Sequence, residues 1–203
     1  TRFNKKFSKN FINKHLLKCE NALILGCVGR LVPYKNIDFV IRCIPELISI
    51  SKVPIHLLVA GSGNDEYKYY LESIVKELNL QNYISFTGFL DNPSEIISGL
   101  DILIAPSNRD AFGRTIVEAM LQSTTVLAAN KGGHLEIVED RFDGLLYSAN
   151  CKKSFIEKAH VLIDDKSLRE ALASKALEKS SSKYSKQSLF LAVEKIYKSV
   201  TAS

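Results

Sequence analysis

Apolar and polar positions along this chain follow two alternating periods. Leu23-Ile24-Leu25-Gly26-Cys27-Val28 is a short unbroken apolar run, the pattern of a strand buried on both faces. It stops at Gly29, and Ile37, Val40, Ile41, Ile44, Leu47 and Ile48 then recur at helical spacing. The alternation continues with a strand at 55–60 and a helix around Leu71, Ile74, Val75 and Leu78, then a strand at 83–86 and a short helix near Ile96 and Ile97. A strand at 102–105 precedes a helix at 112–122, a strand at 125–129 precedes a helix at 135–139, and 144–147 reads as a short last strand. Strands separated by helices predict an α/β fold of three layers, a Rossmann-like doubly wound parallel sheet, because right-handed crossovers place helices on both faces. One domain over 1–203 accommodates it. Beyond Tyr147 only helical patterns follow, at 155–163, 167–179 and 187–198, with the polar stretch Lys179-Ser180-Ser181-Ser182-Lys183 as a hinge or plain loop before the last.

Composition narrows the class. A chain of 203 residues, 46% hydrophobic and 24% charged, is that of a water-soluble globular body, and no apolar run approaches the length of a bilayer span. A net charge of +5 suits an anionic ligand and is too mild to indicate nucleic acid. Cys19, Cys27, Cys43 and Cys151 form no Cys-x-x-Cys pair and have no histidine at ligand spacing, so no metal site is expected. Cys27 and Cys43 sit in apolar patterns as small core residues, which fits a reducing cytoplasm. The opening Thr1-Arg2-Phe3 lacks the apolar core of a targeting segment and reads as the start of an excised piece. Phe3, Phe7 and Phe11 recur every four residues among Lys5, Lys6, Lys9, Lys14 and Lys18. That stripe would suit peripheral contact with an anionic membrane surface, although packing on the sheet is the plainer reading.

In a doubly wound sheet ligands bind beyond the carboxyl ends of the strands, which directs attention to the loops there. The first holds Gly29, Arg30 and Lys35: a glycine for a tight turn, and two cations able to clamp a diphosphate unless they are merely solvated. The second holds Gly61 and Gly63 but lacks the third glycine of a dinucleotide fingerprint. The fourth, Asp110-Ala111-Phe112-Gly113-Arg114 leading to Glu118, is the richest. A helix starting inside it would offer free amides near Ala111 to Arg114 to an anion. Asp110 and Glu118, eight residues apart, would stand roughly 12 Å apart along one helix axis at ~1.5 Å per residue. A nucleotide sugar has that reach, with its sugar at Asp110, its diphosphate over the amides and its ribose diol at Glu118. Periodicity also permits Glu118 to be a solvated residue opposite Ile116, Val117, Met120 and Leu121.

Taken together, these loops resemble the nucleotide-sugar-binding half of retaining glycosyltransferases of the GT-B fold, in the group with a Glu-x7-Glu motif. Gly29-Arg30-Leu31 with Lys35 resembles that family's phosphate clamp, and Ala60-Gly61-Ser62-Gly63 its Gly-x-Gly loop. Phe86-Thr87-Gly88-Phe89-Leu90 is similar to the turn whose backbone meets the base, with Asp101 and Pro106-Ser107 following in their usual places. Asp110-Ala111-Phe112-Gly113 through Glu118-Ala119-Met120 resembles the long motif, and Gly132-Gly133-His134-Leu135-Glu136 with Gly144 the closing pattern. The first acid is Asp110 where Glu is commoner, and Ser123 and Thr125 stand where Gly and Pro are usual.

The resemblance implies half of a two-domain enzyme whose N-terminal, acceptor-binding domain is missing, with residues 184–200 as a helix that crosses to it. It implies transfer of a hexosyl-type sugar, with retention and without a metal or other cofactor, to a saccharide or lipid-linked acceptor. The setting would be polysaccharide or lipopolysaccharide synthesis at the inner face of a membrane. Arg30, Lys35 and the amides near Gly113 would stabilise the leaving diphosphate. Asp110 would orient sugar hydroxyls and Glu118 would hold the ribose, while the resemblance assigns His134 no fixed role. Two rivals are a nucleotide-sugar epimerase half, distinguished by its product, and a non-enzymatic nucleotide-binding or interaction domain, in which Glu118→Lys would leave binding untouched.

Overall fold

The computed structural model describes Ile12 and residues 22–184. The phenylalanine stripe, His15, Cys19 and the helix expected at 187–198 lie outside the described residues. Each apolar run forms a strand: β1 Leu23–Val28, β2 Ile55–Ala60, β3 Ile84–Gly88, β4 Ile102–Ala105, β5 Thr125–Ala129 and β6 Leu145–Tyr147. Between and after them lie α1 Ile37–Ile50, α2 Asp65–Glu77, α3 Pro93–Gly99, α4 Arg114–Leu121, α5 His134–Ile137, α6 Lys152–Asp164 and α7 Lys166–Lys183, with a 3-10 turn at Pro33–Lys35. The strands pair in parallel in the order β3-β2-β1-β4-β5-β6. The order reverses direction between β1 and β4, the position at which such sheets open a crevice.

Strand residues alternate between two cores, as a period of two requires. Leu25, Cys27, Leu57, Val59, Ile102, Ile104 and Leu127 face one layer, where α1, α2 and α6 supply Val40, Ile44, Leu71, Ile74, Phe155 and Leu162. Ile24, Leu58, Leu103, Val126 and Ala128 face the other, against Ile97, Ile116, Met120, Ile137 and Ala176. Each fully buried aliphatic side chain contributes about 1.5–3 kcal/mol, and the two-sided burial explains why these strands read as unbroken apolar runs. Burial also pushes the Cys27 thiol up to about 12, which leaves it a packing residue. Among the described residues no helix is long and apolar enough to cross a membrane.

Three local expectations change. β3 runs on through Thr87 and Gly88, because a register shift after Val59 still pairs Ala60 with Gly88. α4 starts at Arg114 instead of 112, because Gly113 at its N-cap holds φ 77°, ψ 48°, a left-handed geometry outside the helix. The stretch 179–183 is neither hinge nor loop but the last turns of α7. Its serine hydroxyls bond back into the helix, Ser180 to the Leu177 carbonyl at 3.3 Å and Ser182 to that of Lys179 at 2.9 Å. Lys179 reaches inward to the fully buried Asp143 and to the Ile137 carbonyl, tying the helix to the segment before β6. Ser123, where the family resembled has glycine, takes φ 56°, the conformation glycine adopts most easily.

Candidate functional site

The loops after β1 and β2 are zipped together by their own backbones. The Gly29 N–H donates to the Ala60 carbonyl at 2.9 Å, Leu31 to Ser62 at 3.0 Å, Asn64 to Leu31 at 3.0 Å and Gly61 to Gly88 at 2.9 Å. Gly61 (φ +134°) and Gly63 permit this approach, since a Cβ would lie 2.0 Å from the Gly29 oxygen at the first and 2.4 Å from the Leu31 oxygen at the second. Above this floor opens a cleft of about 380 Å³ lined by Arg30, Gly61, Ser62, Gly63, Phe89, Leu90, Arg114, Thr115 and Glu118. A smaller recess of about 30 Å³, the room of a water molecule, adjoins it through Val28, Gly29, Arg30 and Thr115 and is bordered by Lys35, Ser107, Asp110 and Gly113.

Lys35 and Asp110 meet at the recess. The 3-10 turn carrying Lys35 is held to the loop after β4, with Asn108 N–H donating to the Tyr34 carbonyl at 3.1 Å and the Ser107 hydroxyl to the same oxygen at 3.2 Å. Lys35 Nζ then donates to both Asp110 oxygens, at 2.6 and 2.8 Å. From the other side the loop after β5 presses on Asp110: Gly133 N–H donates to its carbonyl at 2.9 Å, and a Cβ at Gly132 would stand 2.7 Å from the same oxygen. His134, fully buried, places Nε2 3.4 Å from Asp110 Oδ2 and Nδ1 3.0 Å from the Ala129 carbonyl. Burial acts to raise the Asp110 carboxyl, but the hydrogen bonds from His134 and Lys35 outweigh it and hold the group at about 2, against an ordinary 3.8.

A carboxyl more acidic in the folded than in the unfolded chain stabilises above its unfolded value, and the contribution is lost as pH falls through the folded one. This cluster is therefore expected to supply roughly 2 kcal/mol above pH ~4 and to lose it toward pH ~2. Denaturant unfolding of the native chain and of Asp110→Asn across that window checks this: the native chain should lose more stability than the variant, and parallel curves would refute it.

Arg30 and Glu118 line the larger cleft. The Arg30 guanidinium donates to the Tyr34 hydroxyl at 2.8 Å, so the two cations of the first loop point to different partners. Glu118 is not on an open helix face. It is half-buried, which raises its carboxyl, and faces Arg114 Nε at 3.5 Å, which lowers it. Asp110 lies in the loop ahead of α4, so the spacing of Asp110 and Glu118 along one helix axis does not hold. The amides left without intrahelical carbonyls accordingly shift from Ala111–Arg114 toward Arg114 and Thr115. Phe89 is 72% exposed at the cleft rim beside Gly88, whose φ of +73° opens onto empty space. Phe112 points elsewhere, its ring edge-on to Tyr184 at 5.9 Å.

Of the residues singled out by sequence, the structure brings Gly29, Arg30, Gly61, Gly63, Phe89, Leu90, Arg114 and Glu118 to one cleft, and Lys35, Asp110 and Gly113 to the recess beside it. His134, noted in the sequence behind its two glycines but given no fixed role, is brought onto Asp110. Asp101 proves structural, since its carboxylate accepts from the Ile24 N–H at 2.8 Å. Among the described residues no three His, Cys, Asp or Glu side chains converge as metal ligands.

Comparison with known proteins places this geometry in a family. Residues 8–179 match the model for glycosyl transferases group 1. An uncharacterized glycosyltransferase of Methanocaldococcus jannaschii is 30% identical over 95% of this chain and 53% of its own length. The capsular polysaccharide biosynthesis glycosyltransferase CapM of Staphylococcus aureus is 26% identical over 90% of this chain and 47% of its own. HepE of Anabaena, solved with UDP-glucose, superposes over 100% of this chain and 54% of its own with a TM-score of 0.86 at 22% identity, a likeness of fold. The chain thus spans about half the length of the relatives it matches. It belongs to the group 1 glycosyltransferases.

Proposed function

We propose that this chain is the donor-binding half of a retaining, metal-independent glycosyltransferase that moves a hexosyl-type sugar from a nucleoside diphosphate to a saccharide or lipid-linked acceptor in surface polysaccharide or lipopolysaccharide synthesis. One observation carries the reading: a cleft at the sheet's switch point with Arg30 and the first amides of α4 on its walls, a half-buried carboxylate at Glu118, and the Lys35–Asp110 pair at its inner end. Glu118 accepts two hydrogen bonds from a ribose diol. The diphosphate lies between Arg30, Lys35 and the amides of Arg114 and Thr115, and the base meets the floor at Gly61, Gly63, Gly88 and the Phe89-Leu90 rim. As the sugar–phosphate bond breaks, charge grows on the leaving diphosphate, where these fixed donors stabilise it without a metal or other cofactor. Asp110 orients the sugar hydroxyls. The acceptor enters from a second domain of the same protein, so this chain alone binds donor and does not transfer.

Calorimetric titration with UDP, GDP and ADP and their sugar conjugates tests the reading. Saturable binding of one nucleotide is expected, weakened about tenfold or more by Glu118→Ala and by Arg30→Ala with Lys35→Ala, the loss for one charge-assisted contact. Unchanged affinity in these variants, or in Glu118→Lys, would return the chain to the interaction-domain reading. Turnover by the isolated chain would refute the division of labour between domains.

A further inference from the structure

We propose that His134 is a positioning residue of this site: it holds the Asp110 carboxylate from inside the protein, so that the carboxylate stays oriented when an anionic ligand draws Lys35 away. The inference rests on the donor-site reading and extends it to a residue with no direct ligand contact.

Among the described residues Asp110 has two side-chain partners, Lys35 and His134. Lys35 retains 21% of its side-chain exposure, whereas His134 retains none. An anion entering from solvent therefore competes for Lys35 and leaves His134 in place. Lys35 serves both functions assigned to it only by exchanging partners, because its Nζ lies on both Asp110 oxygens in this structure. Once it moves, a half-buried carboxylate without another donor would be costly.

The imidazole supplies that donor when both ring nitrogens carry a proton, because each of them faces an acceptor. Its Nδ1 side is fixed by the Ala129 carbonyl at the end of β5, and its Nε2 side faces Asp110. Its Cδ2 lies 3.2 Å from where a Cβ at Gly113 would stand, so the ring edge packs against the N-cap of α4. Gly132 and Gly133 lock the Asp110 and Ala111 carbonyls against the same turn. At 3.4 Å the contact between His134 and Asp110 is longer than those of Lys35 at 2.6 and 2.8 Å.

The test removes Lys35 and asks what His134 does alone. In Lys35→Ala, the Asp110 carboxyl is titrated by carbon-13 NMR with His134 native and as His134→Gln, His134→Asn and His134→Leu, each first checked for cooperative unfolding. Glutamine extends a donor to the Nε2 position, whereas asparagine is too short and leucine has none. The native form, with both charge and donor, is expected to protonate least readily, the glutamine form next, and the asparagine and leucine forms about tenfold more readily than the native. Asparagine carries the test if leucine does not fold, and equal midpoints in all forms would overturn the proposal. With Lys35 intact, His134→Asn is expected to weaken the conjugate that the calorimetry identifies among those of UDP, GDP and ADP about tenfold and leave its free nucleotide unchanged; equal loss for both would overturn the positioning role. If the native chain binds none of UDP, GDP, ADP or their sugar conjugates, the donor-site reading falls, and the carboxyl titration still decides whether His134 holds Asp110.

Discussion

Gly61→Val is expected to destabilise the chain by about 3–5 kcal/mol in urea unfolding, and Gly88→Ala by only about 1 kcal/mol, although both glycines have positive φ. At Gly61 the new Cβ meets the Gly29 carbonyl oxygen at 2.0 Å, and backbone cannot rotate aside as a side chain would. The φ of +134° adds a strain that only glycine escapes. At Gly88 nothing lies within 4 Å of the Cβ position, so only the conformational cost remains. The comparison sets a site closed by both backbone contact and φ against one where only the left-handed φ acts, and similar losses at both sites would refute the account of the cleft floor given above.

Lys179→Met is expected to cost about 3 kcal/mol or more, the penalty for leaving a buried charge without its partner. Asp143 is fully buried and, among the described residues, keeps only the Glu139 N–H, at 2.8 Å, once the ammonium is gone. Lys179 also donates to the Ile137 carbonyl at 2.9 Å, so its removal loosens α7 from the segment that follows His134. The double variant Asp143→Leu with Lys179→Met should recover much of the loss, because an apolar pair replaces a desolvated ionic one. Unfolding free energies of the two single variants and the double variant measure the coupling directly. Additive losses would show that the two side chains do not act together.

The strands were legible because two-sided burial writes itself as unbroken apolar runs: β1, β2, β4 and β5 begin and end where those runs do. β3 outran its apolar stretch because pairing with Ala60, and not hydrophobicity, carries it to Gly88. Residues 179–183 looked like a linker since serine is indifferent to helix in isolation. One tie of these turns to the fold is the contact of Lys179 with Asp143, 36 residues away, which no local window includes. The site divides in the same way. Arg30, Lys35, Asp110 and Glu118 could be singled out because charged residues at strand ends stand out from their neighbours. Periodicity could not reveal that the polar side of α4 looks into a cleft, nor that Lys35 lies on Asp110. His134 could be noted behind its two glycines but given no role, because its two partners come from β5 and the loop after β4, which no local window joins.

The floor of the cleft has a thermodynamic consequence. Because the amides of Gly29, Leu31 and Gly61 already have carbonyl partners within the protein, no ligand is needed to satisfy them or to set the shape of the first two loops. Binding then redirects a few side chains, Lys35 from Asp110 and Arg30 from Tyr34 foremost, instead of ordering a whole loop. A nucleotide would meet a surface whose entropy was surrendered at folding, and its contacts would appear as affinity with little deducted for rearranging the backbone.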